Sequence, residues 1–499
     1  MSIWPPPRSF TASGPQLALS PDTTIHHSFA SSRLERIKAR YLPLLTAAAV
    51  TTSAPSLHAI HLNVTGFNER LDDRTCYDYS LHVSDGAARI ESCSIFGAAY
   101  ALEGLVQLAG RDGMLPHSAI TIHDAPQYGW RGLMIDSGRR FFPVPLVKNL
   151  LDTMAAVKLN VLHLHASDMC RWSVESKLFP NLTDSLTGIH GGHYTQADIR
   201  TLVDYAHDRG IRVIPEFDVP GHSRGLLPLE ASGDVEFCTS KDSRSQLYDD
   251  PEGTTYKTVA SLMGEMSGLF DDDVFHIGCD ETAVKGRCPL KGTFDFERRL
   301  ALDVANNLGK SVEGWEEILF SAGAATNDTI VNAWSRHRPP EITKLGMRAV
   351  ESYSAHFYFT RPAPGGPKGW KPCWYDISTG VPKGELPLLL GGEMSMWSDT
   401  YCYTGQCGAS SGTPPGAKLF PPERDDEFSK SIGGMIFPRG FVGAAAFWNY
   451  NATADPSSTA FVDAIWKLND QLAARGSYTC PSKCDCDQLT ACGKPYIGV

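Results

Sequence analysis

The sequence predicts an α/β fold in which a (β/α)8 TIM barrel follows a small α+β domain, and three observations predict it. Past Gly129 the chain repeatedly pairs a short apolar run with an amphipathic stretch, the pattern of a parallel sheet with crossover helices. Eight such runs occur, at 130–136, 160–168, 212–219, 274–280, 311–315, 329–334, 349–358 and 388–397. No phosphate-type glycine fingerprint follows the first run, which favours a closed barrel over an open doubly wound sheet.

The segment before Asp124 reads differently. Period-two runs such as Ala59-Ile-His-Leu-Asn-Val-Thr65 and Tyr77-Asp-Tyr-Ser-Leu-His-Val83 precede a helix-like stretch, Ile95–Ala109, as in a small α+β unit. Asp124-Ala125-Pro126 marks its end, so the expected division is 1–124, a barrel over 125–475, and a Cys-rich tail over 476–499. Within the barrel, Pro145 suits a first helical turn ahead of Leu146, Leu150, Leu151, Met154 and Val157. Thr195-Gln-Ala-Asp198 reads as a capping box opening a helix that stops near Gly210. Phe447-Trp-Asn-Tyr450 and a helix through 461–472 close the barrel.

Composition narrows the function. With 499 residues, 42% apolar and 20% charged, the chain can bury more than one core. Its net charge of -11 is dispersed and no Lys/Arg block is present, so nucleic acid is not an expected partner. The longest apolar stretches, 41–50 and 440–448, are too short for a bilayer core of about 30 Å, so no membrane span is expected. The opening Met1-Ser2-Ile3-Trp4-Pro5 does not read as a signal peptide.

Sequons at Asn63, Asn181, Asn327 and Asn451, with thirteen cysteines, point instead to a secretory, vacuolar/lysosomal or extracellular setting. Seven of the cysteines fall between Cys373 and Cys492. The run Cys480-Pro-Ser-Lys-Cys484-Asp-Cys486 lacks a nearby His and is irregular for zinc, so disulfides are expected; the odd total leaves at least one thiol unpaired in a monomer.

Active sites of such barrels form at the carboxyl ends of the strands. There the runs carry Arg131 and Asp136, Asp168, His222 just past Asp218, Asp280 with Glu281, Trp315, Trp334, Tyr358 and Trp397. Any one of these alone could cap a helix or pack a loop, but several converge on one rim. Carboxyl pairs serve sugar hydrolysis, one giving a proton and one supporting positive charge at the anomeric carbon. Asp280-Glu281 supplies both groups at the end of a buried strand. Neighbours on a strand point to opposite sides, so this pair does not suit the across-the-ring arrangement of ordinary retaining enzymes.

These segments resemble glycoside hydrolase family 20, the β-N-acetylhexosaminidases. The likeness rests on Trp130-Arg-Gly-Leu-Met-Ile-Asp-Ser-Gly-Arg-Arg-Phe-Phe-Pro143, Lys158-Leu-Asn-Val-Leu-His-Leu-His165, Pro215-Glu-Phe-Asp-Val-Pro-Gly-His222, His276-Ile-Gly-Cys-Asp-Glu281 and Gly391-Gly-Glu-Met-Ser-Met-Trp397. It implies substrate-assisted catalysis, in which the substrate's acetamido oxygen attacks the anomeric carbon. By the same resemblance Glu281 is the general acid and base, kept neutral by burial near Asp280, and Asp280 holds the acetamido N–H. Arg131 and Asp399 bind ring hydroxyls, and Asp168 and His222 tune Glu281. Trp315, Trp334 and Trp397 wall the N-acetyl pocket, and the Tyr358 hydroxyl reaches the acetamide oxygen. Trp370, Trp374 and Trp448 suit core packing or an acceptor subsite equally.

The partners so implied are N-acetylhexosamine-terminated glycans, with a homodimer and no cofactor or metal. The chain departs from the family's pattern at Cys279, where glycine is usual, at Leu164 and Met169, at Thr360 in place of an acid, and at the shorter acid Asp399. A sugar-binding relative without turnover is one competing reading. A chitinase-type enzyme is another, but no strand end shows the Asp-X-Asp-X-Glu it would carry. A metal centre at His163 and His165 is the third, and barrel-interior hydrogen bonding accounts for both residues without one.

Overall fold

The computed structural model describes residues 3–47, 49, 55–186, 191–239, 245–283, 286–359, 367–402 and 422–480. Thr360 and the tail beyond Cys480 lie outside the described residues. The first part of the chain forms β1 (Ser9–Ser13), β2 (Leu17–His27), α1 (Ser32–Ala47), β3 (Ser56–Val64), β4 (Tyr79–Ser84), β5 (Ala87–Ser92), α2 (Ile95–Ala109), β6 (Met114–Leu115) and β7 (Ala119–Asp124). The strands make one seven-stranded sheet in the order β1-β7-β4-β5-β3-β2-β6, with α1 and α2 packed on it. Every residue of α2 is buried, as its all-round apolar surface requires, because it also touches the first helix of the barrel. The Ser94 hydroxyl caps it by accepting from Gly97 N at 3.1 Å.

The second part closes on itself. Strands β8 (Trp130–Asp136), β9 (Val161–Ser167), β10 (Arg212–Val219), β11 (Val274–Gly278), β12 (Ser311–Trp315), β13 (Ile330–Ala333), β14 (Arg348–Glu351) and β15 (Leu389–Met396) form a parallel eight-stranded barrel. Helices α3 (Val144–Ala156), α4 (Gln196–His207), α5 (Thr254–Ser267) and α6 (Leu290–Asn306) flank its first half. Pro145 sits in the first turn of α3, and Thr195 with Asp198 makes the capping box of α4. The expected run 349–358 divides: β14 ends at Glu351, a short helix Ser354–Phe357 follows, and Tyr358 pairs alone with Ser395. The polar Ser352-Tyr353-Ser354 breaks the apolar pattern there.

The barrel interior rises in three tiers, each two residues further along the strands. An apolar plug of Trp130, Val161, Ile214, Val274, Ile330 and Val350 lies at the amino end. Above it sit His163, Glu216, His276, Glu313, Asn332 and Glu393, all fully buried. The top tier is aromatic, built on Met134, Trp315 and Trp397. Disulfides join Cys76 to Cys93 and Cys238 to Cys288, while Cys279 and Cys373 are buried free thiols.

The two parts meet at the amino end of the barrel around Asp124. Its carboxylate accepts from Lys158 Nζ at 2.6 Å, Tyr79 Oη at 2.9 Å and Trp448 Nε1 at 2.9 Å. Burial lowers the Lys158 ammonium below its ordinary range, so that charge depends on Asp124. Asp124→Ala would leave a buried cation without its anion and is expected to cost about 3–5 kcal/mol. Thermal or urea unfolding measures it, and an unchanged midpoint would remove Asp124 from this role.

Candidate active site

The strand that delivers the acidic pair ends abnormally. After β11 the chain enters the left-handed region at Gly278 (φ 73°), Cys279 (φ 72°) and Glu281 (φ 49°). A Cβ at Gly278 would lie 1.8 Å from Asp218 Oδ1, so only glycine fits there. Cys279, in contrast, adopts a conformation that costs a side-chain-bearing residue roughly 1–3 kcal/mol. This backbone breaks strand alternation and separates the two carboxyls: the Asp280 side chain is 11% exposed and that of Glu281 58%.

Asp280 is the buried carboxyl. Its Oδ1 has no hydrogen-bond partner among the described residues. Burial raises the carboxyl pKa of both Asp280 and the adjacent Asp218, and Asp280's charge raises Asp218 further. The charge of His222 and a hydrogen bond with Asp218 oppose that rise at Asp280.

Glu281 is the outer group. His222 Nε2 donates to Glu281 Oε2 at 3.2 Å, and His222 Nδ1 to Asp168 Oδ1 at 3.2 Å. Asp168 is fully buried and also receives His165 Nε2 at 2.7 Å and Arg139 Nη2 at 2.9 Å. Arg139 and His222 hold its carboxyl far below the ordinary range despite burial, and Asp168 and Asp280 in turn lift the His222 imidazole well above its own. The bond from His222 lowers the Glu281 carboxyl. The expected neutral Glu281 is therefore not what the free site holds, because a neighbouring imidazolium outweighs partial burial.

Four aromatic rings face this cluster. Trp315 forms the floor, donating its Nε1 to Glu216 Oε1 at 2.7 Å, with Trp397 at 5.7 Å between ring centroids. Trp334 and Tyr358 stand parallel within 9°, their centroids 6.2 Å apart, and Tyr358 lies 5.9 Å from Trp397. Burial keeps the Tyr358 hydroxyl protonated, hence a donor. Asp399 begins a short turn after β15, and its charge acts on Arg139.

Arg131 is a correction. It is the second residue of β8, fully buried at the opposite mouth, donating to the Lys158 and Tyr128 carbonyls at 2.7 Å and packed between Tyr77 and Trp448. Five residues of strand, about 16 Å, separate it from the end of β8. Arg139, just past that end, takes the place expected for it: it pairs with Asp136 at 3.1 Å and Asp168, and lies 4.9 Å from the Trp397 ring. The signal was the strand-end rule itself, since Arg139 follows β8 and Arg131 precedes its middle. Asp218, at the end of β10, was another group within reach of that rule. The structure thus gathers Asp168, His222, Asp280, Glu281, Trp315, Trp334, Tyr358, Trp397 and Asp399 at one mouth and excludes Arg131.

Trp370 packs on Trp466, Trp374 on Tyr450 and Phe461, and Trp448 joins the amino-end interface. His163 and His165 direct both their nitrogens to carboxylates: His163 to Glu216 at 2.9 Å and Glu393 at 2.8 Å, His165 to Glu216 and to Asp168.

A carboxyl backed by an imidazolium, facing an aromatic wall that can shield a cationic sugar from water, is equipment for cleaving glycosidic bonds, and the barrel mouth is where such enzymes keep it. Residues 128–400 match Glycosyl hydrolase family 20, catalytic domain, and the chain belongs to that family. It is 33% identical over 300 residues to a "Beta-hexosaminidase" of Vibrio furnissii, a match covering 51% of this chain and 48% of that protein. It is 30% identical over 402 residues to "Beta-hexosaminidase subunit beta" of Mus musculus, covering 75% and 71%. The chitobiase of Flavobacterium johnsoniae has a similar solved structure, with TM-score 0.75 and 26% identity over 96% of this chain and 73% of that one.

The strained backbone gives the site its own test. Cys279→Gly is expected to raise stability by about 1 kcal/mol, the relieved strain exceeding the added chain entropy. A higher unfolding midpoint with activity retained supports this; a lower one means the buried thiol's packing outweighs the strain.

Proposed function

We propose that this chain is an exo-acting β-N-acetylhexosaminidase, removing terminal N-acetyl-β-hexosamine residues with retention of configuration, and that Glu281 and Asp280 carry the chemistry. The observation behind this reading is the buried Asp280 carboxylate with an unpartnered oxygen, set beside the aromatic box and next to the exposed, imidazole-backed Glu281. A buried anion with a free lone pair suits an N–H donor, and the substrate's acetamido group offers one.

The acetamido oxygen attacks the anomeric carbon as the bond to the aglycone breaks, and Glu281 gives its proton to the leaving oxygen. Asp280 holds the acetamido N–H as positive charge builds on the resulting oxazolinium ring, and the Tyr358 hydroxyl orients the acetamide oxygen. Glu281, now a carboxylate, takes a proton from the water that opens the ring. Trp315, Trp334 and Trp397 keep other water away meanwhile. Arg139, whose Nε has no hydrogen-bond partner among the described residues, reads ring hydroxyls together with Asp399. In the free site the proton resides on His222; entry of the sugar desolvates Glu281, favours its neutral form and draws the proton across from His222 Nε2.

All four sequon asparagines are exposed, and the disulfides Cys76–Cys93 and Cys238–Cys288 are formed, which supports a secretory setting. No helix among the described residues is long and apolar enough to cross a membrane. Sedimentation would read the homodimer that the family resemblance implies.

Nitrophenyl N-acetyl-β-glucosaminide should be hydrolysed and the matching β-glucoside, lacking the acetamide, should not. Glu281→Gln should lose on the order of 10²–10⁴ in kcat. Binding of N-acetylglucosamine by wild type without release of nitrophenol above the variant would leave a sugar-binding protein in place of the enzyme.

The pH profile carries a second expectation. Because His222 is raised well above its ordinary 6.5, the His222–Glu281 unit keeps its proton through neutral pH and the alkaline limb of kcat/KM lies above that value. His222→Ala leaves Glu281 to hold the proton alone, so the limb should move down toward the ordinary carboxyl range. A limb that stays in place would assign it to another group.

A further inference from the structure

A second acidic pair, Glu316-Glu317, follows β12 and touches neither Asp280 nor Glu281 by hydrogen bond among the described residues. Its side-chain hydrogen bonds converge on Trp334 and the loop behind it. Glu316 is 2% exposed, and its carboxylate accepts from four consecutive main-chain amides: Trp334 N at 3.2 Å, Ser335 N at 3.0 Å, Arg336 N at 2.7 Å and His337 N at 3.3 Å to either oxygen. Those amides follow the end of β13, where no strand partner remains for them. A buried carboxylate satisfying four donors fixes the loop's path as a cap fixes a helix end.

Glu317 acts on the side chain. Its Oε2 accepts from Trp334 Nε1 at 3.1 Å, which sets the rotation of the indole about its own axis. Main chain and ring are thus held by neighbouring residues of one strand end. The result is the parallel setting of Trp334 and Tyr358, 6.2 Å apart and 9° from coplanar. Rings in direct contact would sit nearer the carbon–carbon distance of about 3.5–4.0 Å. A methyl group held between two faces would need about twice that contact distance, so at 6.2 Å the pair stands as one aromatic wall of the mouth, and its setting fixes how much room lies in front of it.

We propose that Glu316 and Glu317 are positioning residues that fix Trp334 as a wall of the N-acyl pocket, and so determine that the enzyme takes N-acetyl in preference to longer N-acyl sugars. The proposal rests on the reading of this mouth as an acetamido-binding site. Neither residue touches the reacting atoms. Glu317 faces Asp280, Glu316 and the Trp334 indole, and burial with the charge of Asp280 raises its carboxyl to about 7; in either protonation state an oxygen remains to accept the indole N–H.

The test compares wild type with Glu317→Gln, which keeps an acceptor oxygen, and Glu317→Leu, which removes it. Each is assayed for kcat and KM on nitrophenyl N-acetyl- and N-butanoyl-β-glucosaminide, and for binding of N-acetyl- and N-butanoylglucosamine by calorimetry. Glu317→Leu should lower the acetyl-to-butanoyl ratio of kcat/KM by about 10–100-fold, the range one or two methylenes command in a pocket, mainly through KM for the acetyl substrate. Glu317→Gln should restore the ratio to within about threefold of wild type. Glu316→Gln should fall between them, and if it fails to fold the Glu317 series decides alone. A ratio unchanged in folded Glu317→Leu, or changed equally in Gln and Leu, overturns the clamp. A wild type that binds the acetyl sugar but does not turn over defeats the enzymatic reading instead, and the binding ratios then still decide whether Glu317 sets the pocket wall.

Discussion

The structure depends on one line of alternating carboxyl and imidazole groups through the barrel. It runs from Glu393 to His163 at 2.8 Å, to Glu216 at 2.9 Å, to His165, to Asp168 at 2.7 Å, to His222 at 3.2 Å and out to Glu281 at 3.2 Å. All members up to Asp168 are buried, and a buried charge without a partner would cost several kcal/mol. Alternation removes that cost along most of the line. His163, His165 and His222 are raised above their ordinary range while Glu216 and Asp168 are lowered, each charge stabilised by the next of opposite sign. His276, whose neighbours include His163, is lowered by burial, and Glu313 is raised, so these two stay neutral where no counter-charge remains. The polar tier thus serves as core packing and as the electrical ground of the site.

That arrangement explains how the backbone at the site can be strained. His222, Cys279 and Glu281 all take positive φ without being glycine, three unfavourable conformations in two short segments that meet at the His222–Glu281 hydrogen bond. Each is over-determined. His222 is held at both nitrogens, Gly278 is wedged against Asp218, and Gly221 packs on the Asp280 carbonyl so closely that a Cβ would lie 2.7 Å from it. Strain retained this way keeps Asp280 and Glu281 on separate sides of the rim, which strand alternation alone would have done with the second carboxyl turned into the barrel wall.

Much of this was legible in the sequence because the signals were local and periodic. Seven of the eight strands fell within a few residues of their expected runs while the run at 349–358 stopped at Glu351, α2 spans the stretch its apolar surface marked, and the α4 capping box is present as written. The misreadings share a different cause. Arg131 and Arg139 lie eight residues apart in one motif, and which faces substrate depends on where β8 begins and ends, a boundary that apolar content alone does not set. Tyr358 was placed on a strand because aromatic residues continue past Glu351, yet its position comes from a lone pairing with Ser395 on the neighbouring strand β15. The ionisation of Glu281 was misjudged from burial because the charge on His222 depends on Asp168, 54 positions away in the chain. Long-range electrostatics leave no period in a sequence.

The barrel divides its labour by strand. Most titratable groups of the mouth come from the ends of β8 to β11: Asp136 and Arg139, Asp168, Asp218 and His222, Asp280 and Glu281, with Asp399 after β15 acting on Arg139. The aromatic wall comes from the ends of β12 to β15: Trp315, Trp334, Tyr358 and Trp397. A charged half facing an apolar half suits a reaction whose nucleophile belongs to the substrate. The polar half then has to move one proton and hold one N–H, tasks for groups with fixed partners, while the apolar half keeps the cyclic cation from bulk water. A second carboxylate aimed at the anomeric carbon would have required a charged group in the aromatic half, with a partner to neutralise it when the site is empty. Among the described residues the acids of that half are already engaged, Glu216 by Trp315, Glu317 by Trp334 and Asp399 by the charge of Arg139. The division of the barrel into these halves and the use of the substrate's acetamide as nucleophile are therefore two aspects of one electrostatic constraint.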